Sequence, residues 1–246
     1  MIDTHAHLDA LDDPDAAIAR AHDAGVGRIV SVGTDPASWD RTLELAEQHE
    51  GVWAVLGLHP HEAAAGVDVE RLTKLLAHPR VVGLGEIGLD YYWDYAPRGA
   101  QSKAFVLQLG IAKNAKLPVV IHNRAADEDT IGVLNQWFDG PVVLHCFSSV
   151  GMLEKAVDSG WYVSFAGNVT YKNASDLRSA VRAVPADRIL AETDSPYLAP
   201  QPVRGVTNEP AFVIHTLAVL AEARGEDADK LERQIDENAA AVFGLS

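Results

Sequence analysis

Short apolar runs alternate with longer amphipathic stretches along the whole chain. Strands are predicted at Ile2–His7, Arg28–Gly33, Val52–Gly57, Val81–Glu86, Pro118–His122, Val142–His145, Trp161–Phe165 and Ile189–Asp194. Several are nearly continuous β-branched or leucine runs, such as Val119-Val120-Ile121, as expected where both faces of a parallel sheet are buried. Helical spacing predicts helices over Pro14–Ala24, Pro36–Gln48, Val69–Ala77, Arg98–Lys116, Glu128–Trp137, Val150–Asp158 and Ala174–Ala183, then Glu209–Ala223 and Asp227–Phe243. Eight strands each followed by a helix, with no linker or break in composition, predict one (β/α)₈ TIM barrel domain over residues 1–246. A doubly wound open sheet is the alternative. The proline-bearing stretch Ala199–Pro210 reads as a loop after the eighth strand.

Composition narrows the class. The chain has 246 residues, 48% of them apolar and 22% charged, enough for a large core. No apolar run is long enough to cross a bilayer, and the first residues show neither the basic nor the apolar region of a signal peptide. Cys146 is the single cysteine, which excludes an internal disulfide and suits a reducing compartment. The expectation is a soluble cytoplasmic protein with no membrane partner; a monomer is compatible with the sequence, and the oligomeric state is open. The net charge of −15, with no basic run, argues against a broad electrostatic grip on nucleic acid. Any nucleic acid would have to be held through a local site.

The placement of histidines supplies that site. Of ten histidines, His22, His49, His78 and His215 fall in or beside predicted helices and read as surface or packing residues. Others close predicted strands. His5 and His7 lie two apart and share a strand face. His122 closes Pro118-Val-Val-Ile, His145 closes Val142-Val-Leu, Glu86 closes Val81-Val-Gly-Leu-Gly, and Asp194 follows Ile189-Leu-Ala-Glu-Thr. In a (β/α)₈ barrel the C-terminal strand ends converge on one mouth, the place of the active site. Imidazoles and carboxylates at a buried rim need partners, and divalent metal ions supply them better than a purely hydrogen-bonded network. Imidazole plus carboxylate suits Zn²⁺, Mn²⁺, Ni²⁺ or Fe²⁺, and less well Mg²⁺, which prefers oxygen. Six ligands exceed what one catalytic zinc takes. The set divides as His5, His7 and Asp194 on one ion, His122 and His145 on a second, with Glu86 between them.

The chain resembles the TatD family of metal-dependent deoxyribonucleases, among the amidohydrolase-like barrels. The resemblance runs through Ile2-Asp-Thr-His-Ala-His-Leu-Asp9, Gly57-Leu-His-Pro-His61, Gly85-Glu-Ile-Gly-Leu-Asp-Tyr-Tyr92, Leu117-Pro-Val-Val-Ile-His122 and His145-Cys-Phe-Ser148. It continues in Thr170-Tyr-Lys-Asn-Ala174, Glu192-Thr-Asp-Ser-Pro-Tyr-Leu-Ala-Pro200, Arg204-Gly205 and Asn208-Glu-Pro210. It implies metal binding by His5, His7, Glu86, His122, His145 and Asp194, and a substrate-binding or catalytic part for His59. The loop positions Asn123-Arg124-Ala125 and Ser149 depart from the family's usual pattern and bear on substrate choice.

The resulting expectation is a hydrolase that cleaves phosphodiester bonds of DNA with a metal-activated water. The family suggests a 3′-5′ exonuclease acting weakly, and without sequence preference, on single-stranded ends or short oligonucleotides. Asp194 and Glu86 are the candidate catalytic carboxylates, with Asp194 moving the proton. Arg124 and Arg204 are candidate phosphate contacts, because guanidinium forks match phosphate oxygens. The alternatives are an amidohydrolase-type hydrolase of a small ester, amide or phosphoester, and a D-aminoacyl-tRNA deacylase. The aromatic cluster Tyr91-Tyr92-Trp93 with Tyr95 could stack on bases, but is expected to cover the core. Gly83-Leu-Gly-Glu-Ile-Gly88 matches a dinucleotide fingerprint only in letters: no helix opens after it and no ribose-binding acid follows. Its glycines are expected to allow close backbone packing near Glu86. Cys146 has no orienting partner that would make it a nucleophile.

Overall fold

The computed structural model describes residues 1–245. Eight strands, β1 (Ile2–Ala6), β2 (Arg28–Gly33), β3 (Val52–Leu56), β4 (Val81–Asp90), β5 (Val119–Arg124), β6 (Val142–Leu144), β7 (Tyr162–Phe165) and β8 (Ile189–Ala191), pair in sequence order. Every paired neighbour is parallel. The seam between β8 and β1 is closed past the end of β8 by a bridge of Ala6 to Ser195. The Asp194 amide there donates to the His5 carbonyl at 2.9 Å, and the His7 amide to the Ser195 carbonyl at 2.7 Å. The result is the expected (β/α)₈ barrel.

Helices α1 (Pro14–Asp23), α2 (Pro36–Gln48), α3 (Val69–Leu76), α4 (Arg98–Ala115), α5 (Asp127–Trp137), α6 (Leu153–Asp158), α7 (Ser175–Ala183), α8 (Val213–Arg224) and α9 (Ala228–Phe243) surround the strands. Their starts follow from capping chemistry. Asp13, Asp35, Asp68 and Asp227 each accept a backbone N–H of the first turn, and Pro14 and Pro36 sit where a missing N–H costs nothing. Among the described residues no helix is long and apolar enough to cross a membrane.

One strand differs from expectation in a way that matters for the site. β4 continues past Glu86 to Asp90, because Leu89 and Asp90 go on pairing with Asn123 and Arg124 of β5. Between Leu84 and Ile87 the register slips, three steps on β4 facing two on β5. Such a bulge re-aims a side chain, and Glu86 sits in it. The glycines of the segment do permit close packing. A Cβ on Gly85 would lie 2.7 Å from the Val120 Cβ, and one on Gly88, at φ +140, would overlap the His122 carbonyl.

Candidate metal centre

The six candidate ligands come from five strands and meet at one mouth. His5 lies in β1 with His7 just past it, Glu86 in the β4 bulge, His122 in β5, His145 directly after β6, and Asp194 beyond β8. Glu86, 3% exposed, is the centre. Its two oxygens face different sides. Oε1 lies 2.7 Å from His122 Nδ1 and 2.8 Å from His145 Nε2. Oε2 lies 3.5 Å from His5 Nε2 and 3.8 Å from His7 Nε2. Asp194 Oδ1 stands 3.4 Å from His7 Nε2 and 3.9 Å from His5 Nε2. Asp194 adopts a left-handed backbone (φ 58), as does Cys146 (φ 44) beside His145. Non-glycine residues hold that conformation only when their surroundings impose it, and such strain gathers at functional sites.

The outward nitrogens decide which atoms remain for ligation. His7 Nδ1 donates to the Val32 carbonyl at 3.1 Å. His145 Nδ1 donates to Glu192 Oε1 at 3.1 Å, and that oxygen also accepts the Cys146 amide at 2.7 Å. His122 Nε2 donates to Asp90 Oδ2 at 3.1 Å. In each ring the nitrogen facing Glu86 or Asp194 is thereby the one left for a cation, the arrangement typical of metal-binding imidazoles. His5 stacks on His145, ring centroids 4.0 Å apart, and its buried Nδ1 has no partner among the described residues.

The charge state makes the same point. Burial alone would raise Glu86, yet the charge of His145 with hydrogen bonds from His122 and His145 holds it well below its usual range. Burial is likewise outweighed at Asp194, which His7 and His145 hold down. In return, against their own burial, His145 is raised well above the usual value by Glu86 and Glu192, His122 is raised by Asp90 and Glu86, and His7 rises to about 9 beside Asp194. Protons on His7 and His145 thus balance buried carboxylates. Divalent cations would meet the same demand while displacing those protons, so this donor set fits metal. His59 differs: its Nδ1 accepts the His61 amide at 3.1 Å, so the neutral ring carries its proton on Nε2, 3.3 Å from Glu86 Oε1. Burial lowers it to about 4, which keeps it a neutral N–H donor.

The two arginines are not brought to this cluster. Arg124 lies over Tyr92 at 4.2 Å and Arg204 over Tyr171 at 4.2 Å, and neither forms a side-chain ion pair or hydrogen bond among the described residues. Of the aromatic cluster only Tyr91 covers the core. Tyr92, Trp93 and Tyr95 are 60%, 43% and 63% exposed, contrary to expectation. The cause is local: Asp90 Oδ1 accepts the amides of Tyr92 and Trp93 at 2.9 and 3.0 Å and turns the loop outward. Sequence reasoning missed Asp90, Glu192 and His61, whose Nε2 lies 2.9 Å from Asp90 Oδ2. For Glu192 a signal existed, since it stands two residues before Asp194. His49 and His78, read as surface residues, pair with Asp15 and Glu47 away from the mouth.

Known proteins resemble this chain along its whole length. The family model described as "TatD related DNase" matches residues 2–244. The "Uncharacterized metal-dependent hydrolase YabD" of Bacillus subtilis is 37% identical over 100% of both chains. A "3′-5′ ssDNA/RNA exonuclease TatD" of Enterobacter lignolyticus is 35% identical over 95% of this chain and 94% of its own. Among solved structures, the TatD homologue YjjV of Escherichia coli K12 superposes with a TM-score of 0.94 at 33% identity, covering 100% of this chain and 98% of that one.

Proposed function

The chain belongs to the TatD-related DNase family of metal-dependent hydrolases, and from that premise we propose that it removes nucleotides from the 3′ ends of single-stranded DNA. In this reading His5, His7 and Asp194 would hold one divalent ion and His122 and His145 a second, with Glu86 between the two sets. One observation carries it: the two oxygens of a single buried carboxylate each face a different pair of imidazoles.

Divalent ions supply Lewis acidity there, neutralising charge on the phosphate and making a water more acidic. The protein's own groups do the rest. Asp194, at the mouth and 9% exposed, takes a proton from the attacking water. As the new phosphorus–oxygen bond forms, the bond to the leaving sugar oxygen breaks, and Asp194 returns the proton there. His59, neutral with Nε2–H turned inward, donates to a non-bridging phosphate oxygen. The net charge of −15 disfavours a long duplex, whose binding rests on neutralising many phosphates. Relatives named as 3′-5′ ssDNA/RNA exonucleases support the choice of single strands and the direction.

The test is incubation of the purified protein with 5′-labelled single-stranded DNA and Mg²⁺, Mn²⁺ or Zn²⁺. Products should shorten from the 3′ end, elemental analysis should find two ions per chain, and Asp194→Asn should lower kcat by about 10²–10⁴-fold with an unchanged circular dichroism spectrum. Intact DNA under all three metals, or an undiminished Asp194→Asn variant, refutes the reading.

A further inference from the structure

The exposed aromatic side chains are concentrated at the mouth. Tyr92, Trp93 and Tyr95 lie on the loop after β4, and Tyr197, 58% exposed, on the loop after β8; among the described residues only Trp137 is a comparably exposed aromatic elsewhere. The first three continue a line of rings that begins in the metal centre. His59 touches His61 (centroids 4.3 Å apart), His61 touches Tyr95 (4.7 Å), Tyr95 lies 5.8 Å from Trp93, and Trp93 lies 4.9 Å from Tyr92. Arg124 lies over two of these rings, 4.2 Å from Tyr92 and 5.5 Å from Trp93. On the opposite rim Tyr197 stands edge-on to His7, 5.9 Å away. The mouth therefore has an aromatic wall beside each half of the proposed ion site.

The loop is built before any ligand arrives. Gln101 of α4 accepts the Asp90 amide at 2.8 Å and donates to the Asp90 and Ala96 carbonyls at 3.0 and 2.9 Å, while Asp90 takes the Tyr92 and Trp93 amides. A surface held this way loses little entropy on binding. Trp93 and Tyr95 touch one another on this preformed rim, yet both leave much of their surface open to water in the free protein. Purine and pyrimidine rings would cover it, and only unpaired strands present free faces for stacking.

We propose that Trp93 and Tyr95 are a base-stacking subsite for an unpaired nucleotide adjoining the scissile phosphate, with Arg124 held by Tyr92 as the contact to that nucleotide's phosphate. Tyr197 stacks with the nucleotide on the other side. The proposal rests on the phosphodiesterase reading and adds a recognition element to it: bases, rather than backbone charge, determine the grip. An arginine lying flat on a ring keeps its edge N–H groups free for phosphate oxygens. The subsite explains how an acidic protein could hold a polyanion.

The decisive comparison uses metal-loaded protein and oligo(dT). Trp93→Ala should raise KM about tenfold, within the range that loss of one stacked base gives, with kcat little changed. Trp93→Phe should restore it. On an oligonucleotide whose terminal residues lack bases, wild type and Trp93→Ala should have the same KM. Binding is read separately with oligo(dT) closed at its 3′ end by uncleavable methylphosphonate linkages: wild-type tryptophan emission is quenched, and the quench is lost in Trp93→Phe. Equal KM for wild type and Trp93→Ala on oligo(dT), or an identical quench in Trp93→Phe, overturns the subsite. Failure of the loaded wild type to cleave any oligonucleotide overturns the phosphodiesterase reading instead, while the quench still decides the stacking.

Discussion

Glu192→Gln isolates what an outer carboxylate contributes to the metal centre. Glu192 is fully buried, and its Oε1 alone serves two donors, His145 Nδ1 at 3.1 Å and the Cys146 amide at 2.7 Å. Oε2 has no partner among the described residues. Glutamine keeps the shape and can keep an acceptor at the Oε1 position, so both bonds survive as neutral ones. A hydrogen bond to a charged group contributes about 1.5–3 kcal/mol and a neutral one roughly half of that. The bond to His145 therefore weakens by about 0.8–1.5 kcal/mol, equivalent to roughly 3–12-fold in ion affinity at 1.4 kcal/mol per decade. The metal-free fold should lose stability as well, because His145, held protonated there by Glu86 and Glu192, keeps only one of its charged partners. The assay is competition against a chelator of known affinity, paired with thermal unfolding of the metal-free variant. Weaker ion binding together with a lowered metal-free Tm is expected. Unchanged ion affinity would refute the argument that Glu192 holds His145 in its ligating orientation.

Three further outcomes follow from the same geometry. Because His7 sits near 9 and His145 is raised well above its usual value, the metal-free protein carries protons there at pH 7 that ligation would displace. Calorimetry in buffers of different ionisation enthalpy should show proton release on ion binding, falling as pH rises through about 9; no buffer dependence counts against it. Chelation should lower Tm: with free ion at 100 times its Kd the stabilisation is about 2.7 kcal/mol, or roughly 5–11 °C for a chain of this size, and scanning calorimetry with and without chelator reads it. Gly88→Ala places a methyl against the His122 carbonyl at φ +140; a cost of about 1–3 kcal/mol and reduced metal content by elemental analysis are expected, and a variant with wild-type Tm and metal content speaks against the close approach.

The barrel and its mouth were legible because parallel strands write themselves as dense apolar runs, and a polar ligand is conspicuous where such a run stops. That logic picked out His122, His145 and Asp194 as candidates, although β5 runs on to Arg124 and β8 ends at Ala191. It placed Glu86 at a strand end, whereas β4 runs on to Asp90. A bulge adds a residue without disturbing the apolar run, so periodicity cannot see it. Asp90 and Glu192 stayed hidden for another reason: each acts by reaching the far nitrogen of a histidine 32 or 47 residues away. Nothing local in the chain marks such a pairing. The aromatic loop was misjudged because the rule that rings cover cores ignores a carboxylate that captures the loop's backbone. Arg124 and Arg204 were recognisable as rim residues, but stacking on tyrosine rather than aiming at the cluster depends on rotamers that sequence does not specify.

The seam that joins Ser195 to Ala6 and Asp194 to His5 also sets an order of assembly. Glu86, His122 and His145 all precede β7 and β8 in the chain, so that half of the candidate centre is synthesised before the last two strands are made. The half built from His5 and His7 is not complete by then. Its carboxylate, Asp194, follows β8, the strand that shuts the ring, so the His5 and His7 imidazoles meet it only as the barrel closes.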